Sequence, residues 1–135
     1  MTQEEKELVL KDISARYAYN DATYADIWYK DGIVLDKTYI NIHILSHLKR
    51  GDIRSIKPYL RPISSMTEEE CLELSKLKPT YDKVEAWKYI KTPVPLAIAN
   101  IEQFDFFHSH HLDWRGLIPM GLALEAPEGM YKMED

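Results

Sequence analysis

The hydrophobic period of this chain changes twice, at Thr23 and again at Thr67, and that double switch constrains the fold more than any other feature. Residues 2–19 read as a helix. Thr2 and Glu5 make a capping-box pair, Glu4 and Glu5 sit at the positive end of the helix dipole, and Val9, Ile13 and Arg16/Tyr17 recur at helical spacing with Leu10 beside them. Asn20-Asp21 stops the pattern. From Thr23 the period becomes that of strands. Residues 24–29 and 33–35 flank Asp31-Gly32, the dipeptide favoured in type I′ hairpin turns. Residues 39–45 alternate, with Ile40, Ile42 and Ile44 on one side and Asn41 and His43 on the other, as in a half-buried strand. Arg50-Gly51-Asp52 is a turn, and residues 53–56 form a short strand or a 3₁₀ turn ended by Pro58.

Helical signals return at Thr67. Its pairing with Glu70 repeats the capping box, Met66 is placed to staple against Cys71, and Leu72, Leu74 and Leu77 supply apolar contacts before Pro79. Residues 81–90 suit a short helix with Val84, Trp87 and Ile90 on one side, broken by Thr92-Pro93-Val94-Pro95. A further helix is expected over about 95–111, with Ala97, Ile101, Phe104 and His108 along one face. Asp113 is positioned to cap an irregular turn over 114–124, and residues 131–135 read as a frayed tail. The expected architecture is α+β: a small antiparallel sheet or SH3-like partial barrel flanked by N-terminal and C-terminal helices. Residues 1–66 carry the helix and sheet, and residues 67–135 form a helical part packed on them as one compact unit.

At 135 residues the chain buries enough surface to fold without disulfides or metal. Its 45% hydrophobic and 29% charged residues exclude wholesale disorder. The single cysteine, Cys71, rules out an internal disulfide and a four-cysteine zinc site, and reads as a small packed hydrophobe. The first residues lack the basic start and apolar run of a secretory signal, and no apolar stretch approaches membrane-spanning length. The chain therefore reads as soluble and cytoplasmic, with no membrane partner.

Charge is unevenly spread. Residues 1–66 hold ten basic and nine acidic side chains, whereas 67–135 hold seven and thirteen. The net charge of -5 argues against a globally basic nucleic-acid binder. Within the first half, Lys49, Arg50, Arg54, Lys57 and Arg61 face only Asp52. Such a run suits a solvated strand edge that deters edge-to-edge pairing, or a contact to phosphate or an acidic partner. Trp28 and Tyr39, with Tyr24 and Tyr29, lie on the expected sheet and suit core packing or stacking on a ligand. The Trp114-Arg115 pair combines an indole with an anion-binding guanidinium. A second constellation, Asp105, His108, His110, His111 and Asp113, puts Asp105, His108 and His111 one helical turn apart. These residues suit either a helix C-terminus or a transition-metal site, although the HExxH pattern is absent. Nucleophile elbows and glycine-rich phosphate loops are also absent.

Two stretches carry a resemblance. Residues 57–70 (KPYLRPISSMTEEE) and residues 110–118 with 121–131 (HHLDWRGLI and GLALEAPEGMY) resemble, in the same order, segments of a family of small uncharacterised proteins encoded by gut-bacterial, Bacteroidales-type phages and prophages. The resemblance implies a small accessory protein acting in the cytoplasm of a host bacterium, and it implies no catalytic residue. With the residues above, it leads to the expectation of a non-enzymatic binding protein without a cofactor, a counter-defence or host-modulating factor. The expected ligand is an anionic nucleotide or a host protein. The expected ligand-binding residues are Arg50, Arg54, Lys57, Arg61, Trp28, Tyr39, Trp114 and Arg115, and association with a second copy of the chain is compatible with them. The rival readings are a metal-dependent hydrolase or nuclease built on Asp105, His108, His110, His111 and Asp113, with Asp105, His108 and His111 as its metal ligands, and a structural virion accessory.

Overall fold

The computed structural model describes residues 1–17, 23–77, 94 and 99–131. Helix α1 (Gln3–Tyr17) starts with the expected capping box: the Glu5 N–H donates to Thr2 Oγ1 at 3.1 Å, and the Thr2 N–H to Glu5 Oε1 at 2.8 Å. Its buried face holds Val9 and Ile13, and also Asp12 and Arg16, whereas Tyr17 lies outside. Four strands follow, β1 (Tyr24–Tyr29), β2 (Val34–Tyr39), β3 (Ile53–Leu60) and β4 (Leu124–Glu125), in the order β2-β1-β3-β4. The fold is α+β, as the double change of period implies. The sheet is mixed and open, neither purely antiparallel nor a barrel. β1 runs antiparallel to both neighbours, while β4 returns parallel to β3 after the helical excursion such a crossover requires.

Three local expectations are corrected. Asp31-Gly32 does turn the chain, but Tyr29 and Ile33 pair across three residues and only Gly32 has a positive φ, of 95°. A type I′ turn needs two such residues; here a left-handed glycine closes the loop and Asp31 Oδ1 accepts the Ile33 N–H. The strand expected over 39–45 is absent. β2 ends at Tyr39, the Asn41 side chain accepts the Ile44 N–H, and helix α2 (Ile42–Arg50) runs to Gly51, at φ 83°. Helical spacing buries Ile44 and Leu48 and leaves Ile42 65% exposed. Three alternating isoleucines fit either period; the Asn cap and the Ile44/Leu48 pair decide for the helix. Finally, β3 continues through Pro58. The Leu60 carbonyl accepts the Ala126 N–H on the β4 side. Two residues earlier, Pro58 faces the same side ahead of the start of β4, where no ladder donor is needed.

Two cores result. The first packs Val9 and Ile13 with Ala25, Ile27, Ile44, Leu48, Ile53, Ile56 and Leu60, and is completed by Leu117, Leu122 and Ala123 from the C-terminal half. The second gathers Ile63, Met66, Cys71, Leu74, Phe106, Phe107, Leu112 and Trp114. Helix α3 (Glu68–Leu77) carries the Thr67/Glu70 capping box and buries Cys71 and Leu74, while Leu72 turns outward. Helix α4 (Ile101–Ser109) starts later than the prolines suggested, at a capping box between Asn100 and Gln103. Its buried face is Gln103, Phe106, Phe107 and His108, with Ile101 80% exposed, so the expected apolar stripe is rotated. The helix expected over 81–90 and Ala97 of that stripe lie outside the described residues.

Tyr131 is not part of a frayed tail. Its hydroxyl donates to the Tyr59 carbonyl at 2.7 Å and accepts the Tyr24 N–H at 2.9 Å, and its ring stacks on His111 with centroids 3.6 Å apart. Replacing Tyr131 by Phe keeps the stack but removes both hydrogen bonds. The expected destabilisation is about 1–3 kcal/mol, read as a lower urea midpoint with an unchanged slope.

Candidate functional site

The expected ligand residues are distributed rather than gathered. Arg50 ends α2, where Nη2 meets His47 Nδ1 at 2.9 Å and Nε lies 3.4 Å from Asp52 Oδ2. Arg54 is exposed at a bulge of β3, and Lys57 stands opposite Asp26. Arg61 is committed to structure: its two terminal nitrogens grip both Glu70 oxygens at 2.8 and 2.7 Å, and also reach the His110 and Ser65 carbonyls. Arg50 and Arg61 flank the eight-residue β3, which at strand rise separates them by roughly 25 Å. The basic run therefore makes no single anion site.

The aromatic candidates divide likewise. Trp28 is half-buried beside Val34 and Ser55, and Tyr39 pairs with Tyr24 through a hydroxyl–hydroxyl hydrogen bond and tilted rings 4.1 Å apart. Trp114 is buried and Arg115 half-buried. The Arg115 guanidinium lies 4.3 Å over the indole, but its Nε donates to Asp12 Oδ1 at 2.9 Å, a partner contributed by α1.

Asp105, His108 and His111 do not form a ligand set. His108 Nε2 accepts the Trp114 indole N–H at 2.9 Å. His111 lies beyond the helix with φ 60° and stacks on Tyr131. His110 stacks on Phe106 and its Nδ1 lies 3.0 Å from the Phe106 carbonyl. Asp113 takes its expected capping role, accepting the Leu117 and Ile118 N–H groups at 2.8 and 2.9 Å, and burial pushes its carboxyl up. Among the described residues, no group of three His, Cys, Asp or Glu side chains is placed to hold a metal ion.

The concave feature that sequence reading missed is a cleft of about 820 Å³ between the start of α3 and residues 125–131. Glu69, Glu70 and Glu73 line one wall, Glu125 and Glu128 the other, and Pro62, Pro127 and Tyr131 supply apolar surface. Burial raises the Glu70 pKa, but the Arg61 hydrogen bonds and the Thr67 N–H outweigh it and hold the carboxyl below its usual range. Arg61 is thus neutralised by Glu70, and four other carboxylates give the cleft its charge. The acidic bias of the C-terminal half is the sequence signal for it; only the pairing of β4 with β3 brings the two walls together. A smaller cleft of about 430 Å³, lined by Tyr29, Lys30, Asp31, Ile33, His47 and Asp52, sits at the hairpin.

The chain matches no known protein family, no curated protein and no solved structure. No described helix is long and apolar enough to cross a membrane.

The two buried histidines generate a pH dependence. Burial, reinforced by the Arg16 charge, lowers both His108 and His111 to about 4, against about 6.5 in an unfolded chain. Between those values the unfolded chain binds more protons, so stability present above about pH 6.5 is lost as pH falls towards 4. Urea midpoints are expected to drop between pH 7 and pH 5. His108→Gln, which keeps an acceptor for Trp114, is expected to flatten that drop. A second test concerns the basic run. Arg61→Ala is expected to cost about 2–3 kcal/mol by leaving the buried Glu70 carboxylate without its cation, whereas Arg54→Glu costs less than about 0.5 kcal/mol.

Proposed function

We propose that the protein is a non-catalytic binding module whose acidic cleft takes a Lys- or Arg-rich segment of a partner protein. The observation that carries this reading is the surplus of carboxylates around one cleft: Glu69, Glu73, Glu125 and Glu128, beyond the Glu70 already matched to Arg61. These carboxylates line a volume of about 820 Å³ rather than converging on a point, which suits several spaced cationic groups better than one metal ion. The apolar surface of Pro62, Pro127 and Tyr131 suits the aliphatic stems of lysine and arginine. An anionic nucleotide is disfavoured in this cleft, because its one guanidinium is engaged and its rim repels phosphate. The resemblance to phage and prophage accessory proteins supports a partner supplied by the bacterial host.

The test is fluorescence anisotropy with a labelled Arg/Lys-rich peptide and its acidic counterpart. Binding of the basic peptide is expected to weaken with salt, and to weaken about tenfold or more in Glu69→Gln/Glu73→Gln and in Glu125→Gln/Glu128→Gln. Arg54→Glu, distant from the cleft, serves as the control. Equal affinity for both peptides, or no loss in either double variant, overturns the reading.

A further inference from the structure

Two tyrosine rings lie in near contact at the edge of the sheet. Tyr24 on β1 and Tyr39 on β2 stand directly opposite each other, with ring centroids 4.1 Å apart and planes tilted by 34°. The backbone explains the closeness. One residue earlier on β1, the Thr23 carbonyl accepts the Ile40 N–H, while the Tyr24 N–H turns away to the Tyr131 hydroxyl. Tyr24 and Tyr39 are therefore a non-hydrogen-bonded cross-strand pair, the kind whose side chains approach most closely. Their hydroxyls hydrogen-bond to each other, which brings the two phenol edges level. Tyr39 is 51% exposed and Tyr24 half-buried, so an oxidant in solution reaches the pair.

Each of the other described tyrosines lacks one of these features. The Tyr131 ring is 5.9 Å from Tyr24, but its hydroxyl is held by the Tyr59 carbonyl and the Tyr24 N–H. Tyr59 is buried and donates to Asp26, and Tyr29 packs edge-on against His47. Tyr17 is 43% exposed but ends α1, outside any pair of described tyrosines. We infer that Tyr24 and Tyr39 form a site of intramolecular dityrosine cross-linking by one-electron oxidants of the peroxide class. In this step each phenol gives up one electron and its hydroxyl proton. The two phenoxyl radicals join by a carbon–carbon bond between ring carbons ortho to oxygen, and the two ortho hydrogens then move as protons to the oxygens, restoring both phenols. The link costs the protein two hydrogen atoms; their electrons cleave the O–O bond of one peroxide and their protons pass to solvent. β2 is an edge strand paired with β1 alone, so the bond closes the hairpin into a covalent ring and pins the free edge of the sheet. None of this depends on what the acidic cleft binds.

The test exposes the full chain, at high dilution, to light with a ruthenium tris-bipyridyl sensitiser and persulfate, a peroxide that is reduced to two sulfates. The expected product shows dityrosine fluorescence, still runs as a monomer and is lighter by two hydrogen atoms, and fragment mapping joins Tyr24 to Tyr39. Tyr39→Phe keeps the exposed ring but removes the phenol, and is expected to lose most of the fluorescence; Tyr17→Phe is expected to keep it. The same treatment in denaturing urea is expected to give a several-fold lower yield of the Tyr24–Tyr39 link, because unfolding disperses the pair. A folded protein that yields only cross-linked dimers, or links that do not join Tyr24 to Tyr39, overturns the inference. So does undiminished fluorescence in Tyr39→Phe, or an equal yield in urea.

Discussion

One carboxylate, that of Asp12, holds the two cores in register. It projects from the buried face of α1, grips Arg16 one turn on, and accepts from Arg115, whose guanidinium lies over Trp114. Trp114 belongs to the second core and donates to His108 on α4. A chain of polar contacts therefore runs from the helix that covers the sheet to the helix that closes the other end. Buried ion pairs contribute little net stability against an apolar replacement, yet losing one member leaves an uncompensated charge costing about 3–5 kcal/mol. The network thus fixes which packing is allowed more than how stable that packing is.

Arg61 and Glu70 do comparable work beyond the C-terminal end of β3. Glu70 completes the capping box of α3 and also receives both terminal nitrogens of Arg61, just past the end of β3. The ion pair fixes where α3 starts relative to the sheet, and so places Glu69 and Glu73 on the cleft wall. Acidic residues in the first turn of α3 are favoured by the helix dipole whatever they face. Their concentration at the cleft comes from that local preference combined with the placement of β4 beside β3.

Much of the secondary structure was legible because its signals are local. Both Thr/Glu capping boxes, the Asp113 cap and the general positions of the first two strands follow from side chains that hydrogen-bond within a few residues of themselves. The errors fall where local signals compete. Ile40, Ile42 and Ile44 satisfy a strand period over three residues, and only burial of Ile44 with Leu48 behind the Asn41 cap selects a helix. Pro58 suggested a strand end because the pattern does not show which edge of β3 is unpaired at that point. Arg61 looked like part of a basic ligand surface, since its partner Glu70 comes from the next element.

The amino-acid sequence by itself determined the α+β class, the starts of α1 and α3 and the absence of any long apolar helix among the described residues, because caps and hydrophobic periods act over one or two turns. Only the tertiary structure decided which charges are free and which are spent. Arg16 reads as one more residue on a helical stripe, and Arg115 as a surface cation beside a tryptophan. Folding carries both to a single carboxylate, while the glutamates of α3 and of residues 125–128 come together at one cleft. Coulomb interactions and burial depend on distances between segments remote in sequence, and those distances exist only once β4 has paired with β3 and α1 has packed against the sheet.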